Sequence, residues 1–249
     1  MTGWLHHADG AGDAPARVVC FAHAGGSARS FLTWQPALTG DAELIAVQPA
    51  HPPGGRLSLA GYVAGAVAEL RGLAGADPRP IYLFGHSLGG LVAFEAARDL
   101  AEERVVAGLV VSALAAPQRL PSPRVRSLAA RSGADFAREL AFFGGLPADV
   151  LADADLMDVL LPGVQADFAL AASYRYRPGP PLPHRIVLVA GTEDPHVGPD
   201  QLAGWARESV EPPLIHRVPG GHFYFLDDPS RITTVLGGVV RADQHVELI

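Results

Sequence analysis

Ile81-Tyr82-Leu83-Phe84-Gly85-His86-Ser87-Leu88-Gly89-Gly90 is an apolar strand that runs into Gly-x-Ser-x-Gly and then into the helical pattern of Leu91 to Leu100. A serine hydroxyl is a weak nucleophile until geometry and a base activate it, and a sharp strand-to-helix turn supplies the geometry. Gly85 and Gly89 leave room for the strained backbone, Ser87 stands at the tip, and the first amides of the following helix face whatever Ser87 attacks.

On both sides of this stretch, short β-branched runs alternate with helical patterns. Strands are expected at Arg17–Ala22, Glu43–Val47, Pro80–Phe84, Val106–Ser112, Arg185–Ala190 and Leu214–Val218. Helices are expected at Ala28–Leu38, Leu59–Leu73, Leu88–Glu103, Asp200–Ser209 and Pro229–Arg241. Several of the strands are continuously apolar, as in a parallel sheet covered by helices on both faces. The pattern is that of a doubly wound α/β fold.

One connection breaks the rhythm. Between Pro117 and Pro183 there is no strand signal, yet helical spacing recurs in Phe136, Leu140 and Phe143, in Leu156, Val159 and Leu160, and in Val164, Phe168 and Ala171. An apolar insertion this long in a compact domain is usually functional. Residues 118–183 are read as a helical lid over the carboxyl ends of the strands, within a single domain spanning 1–249. The proline-rich tract Arg177–Pro183 is a stiff return to the sheet.

Composition narrows the function. With 249 residues, 49% of them hydrophobic and 18% charged, the chain has the makings of a large core. A net charge of −7 gives no global basic field, which argues against nucleic acid and anionic membranes as partners. All 19 basic residues are arginine, so no lysine can serve as nucleophile or Schiff base. The single cysteine, Cys20, lies in an apolar run and suggests a buried position in a reducing compartment. No signal-peptide pattern is seen, and the longest apolar run, Val105 to Ala116, is too short to span a membrane. A cytoplasmic location is expected.

A serine nucleophile needs a base, and the base needs a third group to hold its tautomer. Downstream of Ser87, one strand ends in Gly191-Thr192-Glu193-Asp194-Pro195 and the next in Pro219-Gly220-Gly221-His222-Phe223. Asp194 is the expected acid, with Glu193 as its competitor, and His222 is the expected base. His86 is read as a packing residue, and no partner is assigned to His6, His7, His51, His184, His196, His216 or His245. Acyl transfer also requires two donors for the developing oxyanion, each worth roughly 3–4 kcal/mol. The backbone N–H of Leu88 is one candidate. The other is the N–H of Ala24 in Ala22-His23-Ala24-Gly25-Gly26-Ser27, a loop that could otherwise be a helix-opening turn or a phosphate cradle. Its spacing fits neither nucleotide-binding glycine pattern. No metal and no bound cofactor are expected.

Together, Phe21-Ala22-His23-Ala24-Gly25-Gly26-Ser27, Ala46-Val47-Gln48, Phe84-Gly85-His86-Ser87-Leu88-Gly89, Leu161-Pro162 with Ala166-Asp167-Phe168, Ser173-Tyr174-Arg175-Tyr176 and Pro219-Gly220-Gly221-His222-Phe223-Tyr224-Phe225-Leu226 resemble the type II thioesterases. These are free-standing α/β-hydrolases that accompany nonribosomal peptide and polyketide synthases in antibiotic biosynthesis. The resemblance spans nearly the whole chain. It implies an α/β-hydrolase that removes misplaced acyl groups from the phosphopantetheine arm of carrier proteins, with Ser87, Asp194 and His222 as triad and the insertion as a mobile lid. A small acyl thioester substrate, an acyl or peptidyl carrier protein as partner and a monomeric protein are expected. The sequence departs from the family pattern at Pro49–Arg56, where Gln-Tyr-Pro-Gly-Arg is usual, and at Ala22, where proline is common. Other readings on this scaffold are a general carboxylesterase or lipase-like hydrolase, an acyltransferase, or a non-catalytic ligand receptor. Gly90, where malonyl transferases carry glutamate, disfavours the acyltransferase, and the intact set of triad residues disfavours the receptor.

Overall fold

A computed structural model describes residues 3–50, 57–141, 150 and 153–246. Its seven strands are β1 (Leu5–His7), β2 (Ala16–Phe21), β3 (Ala42–Val47), β4 (Ile81–His86), β5 (Val106–Ser112), β6 (Ile186–Gly191) and β7 (Leu214–Val218). They form one sheet in the order β1-β3-β2-β4-β5-β6-β7. Among the described residues only β1 is antiparallel; the remaining pairs are parallel, with Cys20 beside Phe84 and Phe84 beside Val110 at the centre.

The continuous apolar runs feed two cores because successive strand residues point to opposite faces. Val19, Phe21, Ile45, Val47 and Leu83 meet helices α2 (Leu59–Ala76) and α3 (Leu88–Asp99) on one face. Val18, Cys20, Leu44, Tyr82 and Phe84 meet α1 (Ala28–Leu32) and, far along the chain, Ser230–Val246 on the other. Arg17, only 1% exposed, ties β2 to the carboxyl end of α2. Its guanidinium donates to the carbonyls of Leu73 (2.9 Å) and Asp77 (2.7 Å), and to that of Arg79. Leu73 O also accepts the Asp77 N–H that caps the helix, and Asp77 and Arg79 lie just beyond its end.

The six expected strands are all present, with ends shifted by at most two residues; β1 is additional. The expected helix Ala28–Leu38 divides into α1 and a tighter turn at Gln35–Leu38, because Pro36 lacks an N–H and disfavours helical geometry just before it. Asp200–Ser209 likewise becomes Pro199–Leu202 followed by the tighter turn Ala203–Arg207.

The insertion contains α4 (Pro123–Ala129), α5 (Gly133–Ala141) and α6 (Ala154–Ser173), which is continuous through Pro162. The last described helix, Ser230–Val246, is α7. Leu128, Phe136, Leu140, Val164 and Phe168 form the insertion's own core, with the Phe136 and Phe168 rings edge to face at 6.0 Å. Val159, by contrast, is 76% exposed, and Phe143 lies outside the described residues. By length and apolar composition alone, Asp155–Ser173 could cross a membrane. Here Val164 and Phe168 pack it against α4 and α5, while most of the segment remains solvent-accessible. The return segment is pinned by Tyr174 Oη donating to Glu95 (2.5 Å) and Tyr176 Oη to the buried Glu208 (2.8 Å).

Candidate active site

Ser87 sits between β4 and α3 with φ 53° and ψ −117°, a left-handed conformation that non-glycine residues rarely adopt. The chain around it holds the strain. Ser87 N–H donates to Ser112 O on the adjacent strand (2.9 Å), and Leu91 N–H to Ser87 O (3.1 Å). The two motif glycines allow close backbone approach: a Cβ on Gly85 would lie 2.2 Å from Gly89 O, and one on Gly89 only 2.0 Å from Phe21 O. Leu88 is the first residue of α3, so its N–H has no intrahelical acceptor and lies beside the serine in sequence.

Asp194 and His222 come together at the ends of β6 and β7. His222 Nδ1 lies 2.8 Å from Asp194 Oδ2, and the other carboxylate oxygen accepts the His196 N–H at 2.8 Å. Both residues are 7% exposed, whereas Glu193 is exposed and contributes its backbone N–H to Gly220 O. The structure thus distinguishes the two acids: Asp194 bonds the histidine. Burial pushes the Asp194 carboxyl up, but the His222 and His196 hydrogen bonds outweigh it and hold the group below its ordinary range. Donation from Nδ1 to the carboxylate fixes the neutral tautomer with its lone pair on Nε2.

Three further histidines lie around this pair, and nothing in their sequence spacing marks them as neighbours of His222. His86 packs edge-on to His222 with centroids 5.1 Å apart, and His196 does so at 5.4 Å. His23 in turn packs against His86 at 5.7 Å and Phe223 at 4.9 Å. His86 is fully buried, its Nδ1 2.9 Å from Ser112 Oγ, which lies 2.7 Å from Tyr224 Oη. Burial, then the nearby His222, pushes His23 and His196 down to about 4, and the same causes with His23 push His86 well below its usual value. The sequence signal for this cluster is slight: each histidine adjoins a strand-end loop of a different strand.

The loop after β2 is fixed by three bonds. Gly26 N–H donates to His23 O (2.8 Å), Gly25 N–H to Asp167 Oδ2 (2.8 Å), and Ala28 N–H to Gln48 Oε1 (3.1 Å). Among the described residues, the Ala24 amide has no acceptor. A small cavity of about 70 Å³ lined by His23, Gly26, Gln48, Tyr62 and Asp167 adjoins this loop. Of the divergent segment Pro49–Arg56, residues 51–56 lie outside the described residues, as does His51. Among the described residues, no cluster of His, Cys, Asp and Glu could hold a metal ion.

By strand order and by the serine elbow on β4, the fold is that of an α/β-hydrolase. The chain belongs to the thioesterase domain family, whose model matches residues 16–239, and it is an enzyme of that thioester-hydrolysing class. Thioesterase PikA5 of Streptomyces venezuelae is 33% identical over 232 residues, covering 90% of this chain and 80% of that protein. The type II thioesterase BorB from the borrelidin biosynthetic cluster superposes with a TM-score of 0.82 at 29% identity, covering 95% of this chain and 97% of BorB. YbtT, the type II thioesterase from the yersiniabactin nonribosomal peptide and polyketide pathway, gives 0.80 at 27%, covering 98% and 99%.

Proposed function

We propose that this thioesterase hydrolyses acyl groups from the phosphopantetheine arm of carrier proteins, clearing misprimed or stalled synthases, through Ser87, His222 and Asp194. The observation that carries the reading is the 2.8 Å hydrogen bond between His222 and the buried Asp194 on the same sheet edge as the strained Ser87. Ser87 Oγ attacks the thioester carbonyl carbon as His222 Nε2 takes its proton. The carbonyl oxygen becomes an oxyanion held by the N–H groups of Leu88 and Ala24. The C–S bond then breaks, the sulfur leaves with the proton from His222, and an acyl-serine remains. Water repeats the sequence, with His222 as base, and releases a carboxylic acid and free Ser87.

The partner is an acyl or peptidyl carrier protein. Residues 118–183 serve as the lid over this edge, the protein works in the cytoplasm as a monomer, and the chemistry uses no cofactor of its own. The family membership and the similarity to type II thioesterases of biosynthetic clusters support this reading. Its test is a panel of acyl-loaded carrier proteins, acyl-CoA and simple esters, turned over by native enzyme and by Ser87→Ala. The expected result is fastest cleavage of the carrier-bound thioester and none by the variant. Equal turnover by both proteins overturns the serine mechanism, and preference for simple esters overturns the carrier assignment.

A further inference from the structure

The loop that supplies the Ala24 amide is built partly on the insertion. Asp167, half-buried on α6, accepts the Gly25 N–H at 2.8 Å across 142 residues of sequence. Gly25 has φ +74°, and a Cβ there would lie 2.8 Å from Val164 Cγ2, one helical turn before Asp167. Ala24 packs at the same time against the main core and against the insertion's core of Leu128, Phe136, Leu140, Val164 and Phe168. The peptide plane that carries the Gly25 N–H is also the plane of the Ala24 carbonyl, so fixing it restricts the ψ of Ala24.

We propose that Asp167 is a positioning residue: its carboxylate holds the Gly25 peptide so that the Ala24 N–H stays directed at the oxyanion, which makes formation of the oxyanion hole depend on the seating of α6. The proposal rests on the serine thioesterase reading. A preorganised donor accelerates the reaction because it requires no reorganisation at the transition state, so loosening it lowers kcat while leaving ground-state binding nearly intact. A charged acceptor on a backbone N–H is a strong restraint, and an uncharged carbonyl in the same place retains much of it.

The test compares native enzyme, Asp167→Ala and Asp167→Asn, with Ser87→Ala as the blank, on an N-acetylcysteamine acyl thioester. Amide hydrogen exchange of residues 22–27 is followed in parallel. Asp167→Ala is expected to lower kcat by about 10- to 100-fold with KM within about two-fold, and to speed exchange in the loop. Asp167→Asn, which keeps an acceptor oxygen, is expected to recover most of both and carries the test alone if Asp167→Ala does not fold. Native kcat and native exchange in Asp167→Ala overturn the proposal, as does Asp167→Asn with the full defect. Because exchange reports the restraint without chemistry, these outcomes stay distinct from failure of the serine reading, which only an active Ser87→Ala would signal.

Discussion

The imidazole of His86 stands edge-on to that of His222, with ring centroids 5.1 Å apart, while its Nδ1 bonds the buried Ser112 hydroxyl. His222 is therefore walled by imidazoles that burial keeps uncharged, His86 on one side and His196 on another, with His23 behind. The arrangement places neutral rings, rather than imidazolium cations, against His222.

That same arrangement predicts acid lability. His23 and His196 titrate near 4 in the folded protein and near 6.5 when unfolded, so between these values unfolding takes up protons and stability falls as pH falls. Asp194 acts in a lower window: its depressed carboxyl contributes stability above the unfolded carboxylate range, lost as pH drops through its folded value. Thermal unfolding measured from pH 8 to pH 4 should show Tm declining below about 6.5. His23→Phe, which keeps the ring packing on Phe223, should flatten that decline.

The two acids at the end of β6 should behave differently. Asp194→Asn leaves the shape but lets the amide favour the wrong His222 tautomer, and kcat should fall by about 10⁴-fold. Glu193→Gln, at an exposed side chain, should change kcat by less than about two-fold. Steady-state kinetics on one thioester substrate compares them directly.

Glycine substitutions should split by what surrounds them. Gly89→Ala puts a methyl against Phe21 O and should destabilise by about 3 kcal/mol or prevent folding. Gly72→Ala, on an exposed face of α2 with nothing within 4 Å, should stabilise by about 0.5–1 kcal/mol. Urea unfolding would read both.

Arg17→Met retains much of the buried stem but removes the guanidinium donors to the carbonyls of Asp77 and Arg79 and one of the two donors to that of Leu73. A loss of about 3 kcal/mol or more is expected, with kcat of the remaining folded protein unchanged, since Arg17 lies at the opposite edge of the sheet from Ser87. Chemical denaturation and kinetics on the same preparation check both halves.

Much of the fold is legible in the sequence because its central strands β2, β3, β4, β5 and β6 are buried on both faces. Val18 to Phe21 and Leu83 to Phe84 carry their own signal, and the elbow's glycines mark the turn. Leu5–His7 escaped notice because three residues paired antiparallel at an edge show no apolar run. At the site, Ser87, Asp194 and His222 follow from chain order and strand ends. His86, His196 and His23 reach His222 only through the spatial order of β2, β4, β6 and β7, which no local pattern encodes. Asp167 was visible only as part of a family resemblance, since its partner is 142 residues away. The insertion's apolar spacing is legible, but it does not encode that Leu156 to Ala171 form one helix with Val159 facing solvent.

Cys20, the sole cysteine, is completely enclosed in the centre of the sheet, where burial pushes its thiol pKa up and keeps it protonated. With lysine also absent, the native surface offers almost nothing to common labelling reagents. A cysteine introduced at the exposed Val159 would accept a fluorophore at one site against a silent background, so that emission would report whether α6 changes its surroundings during turnover.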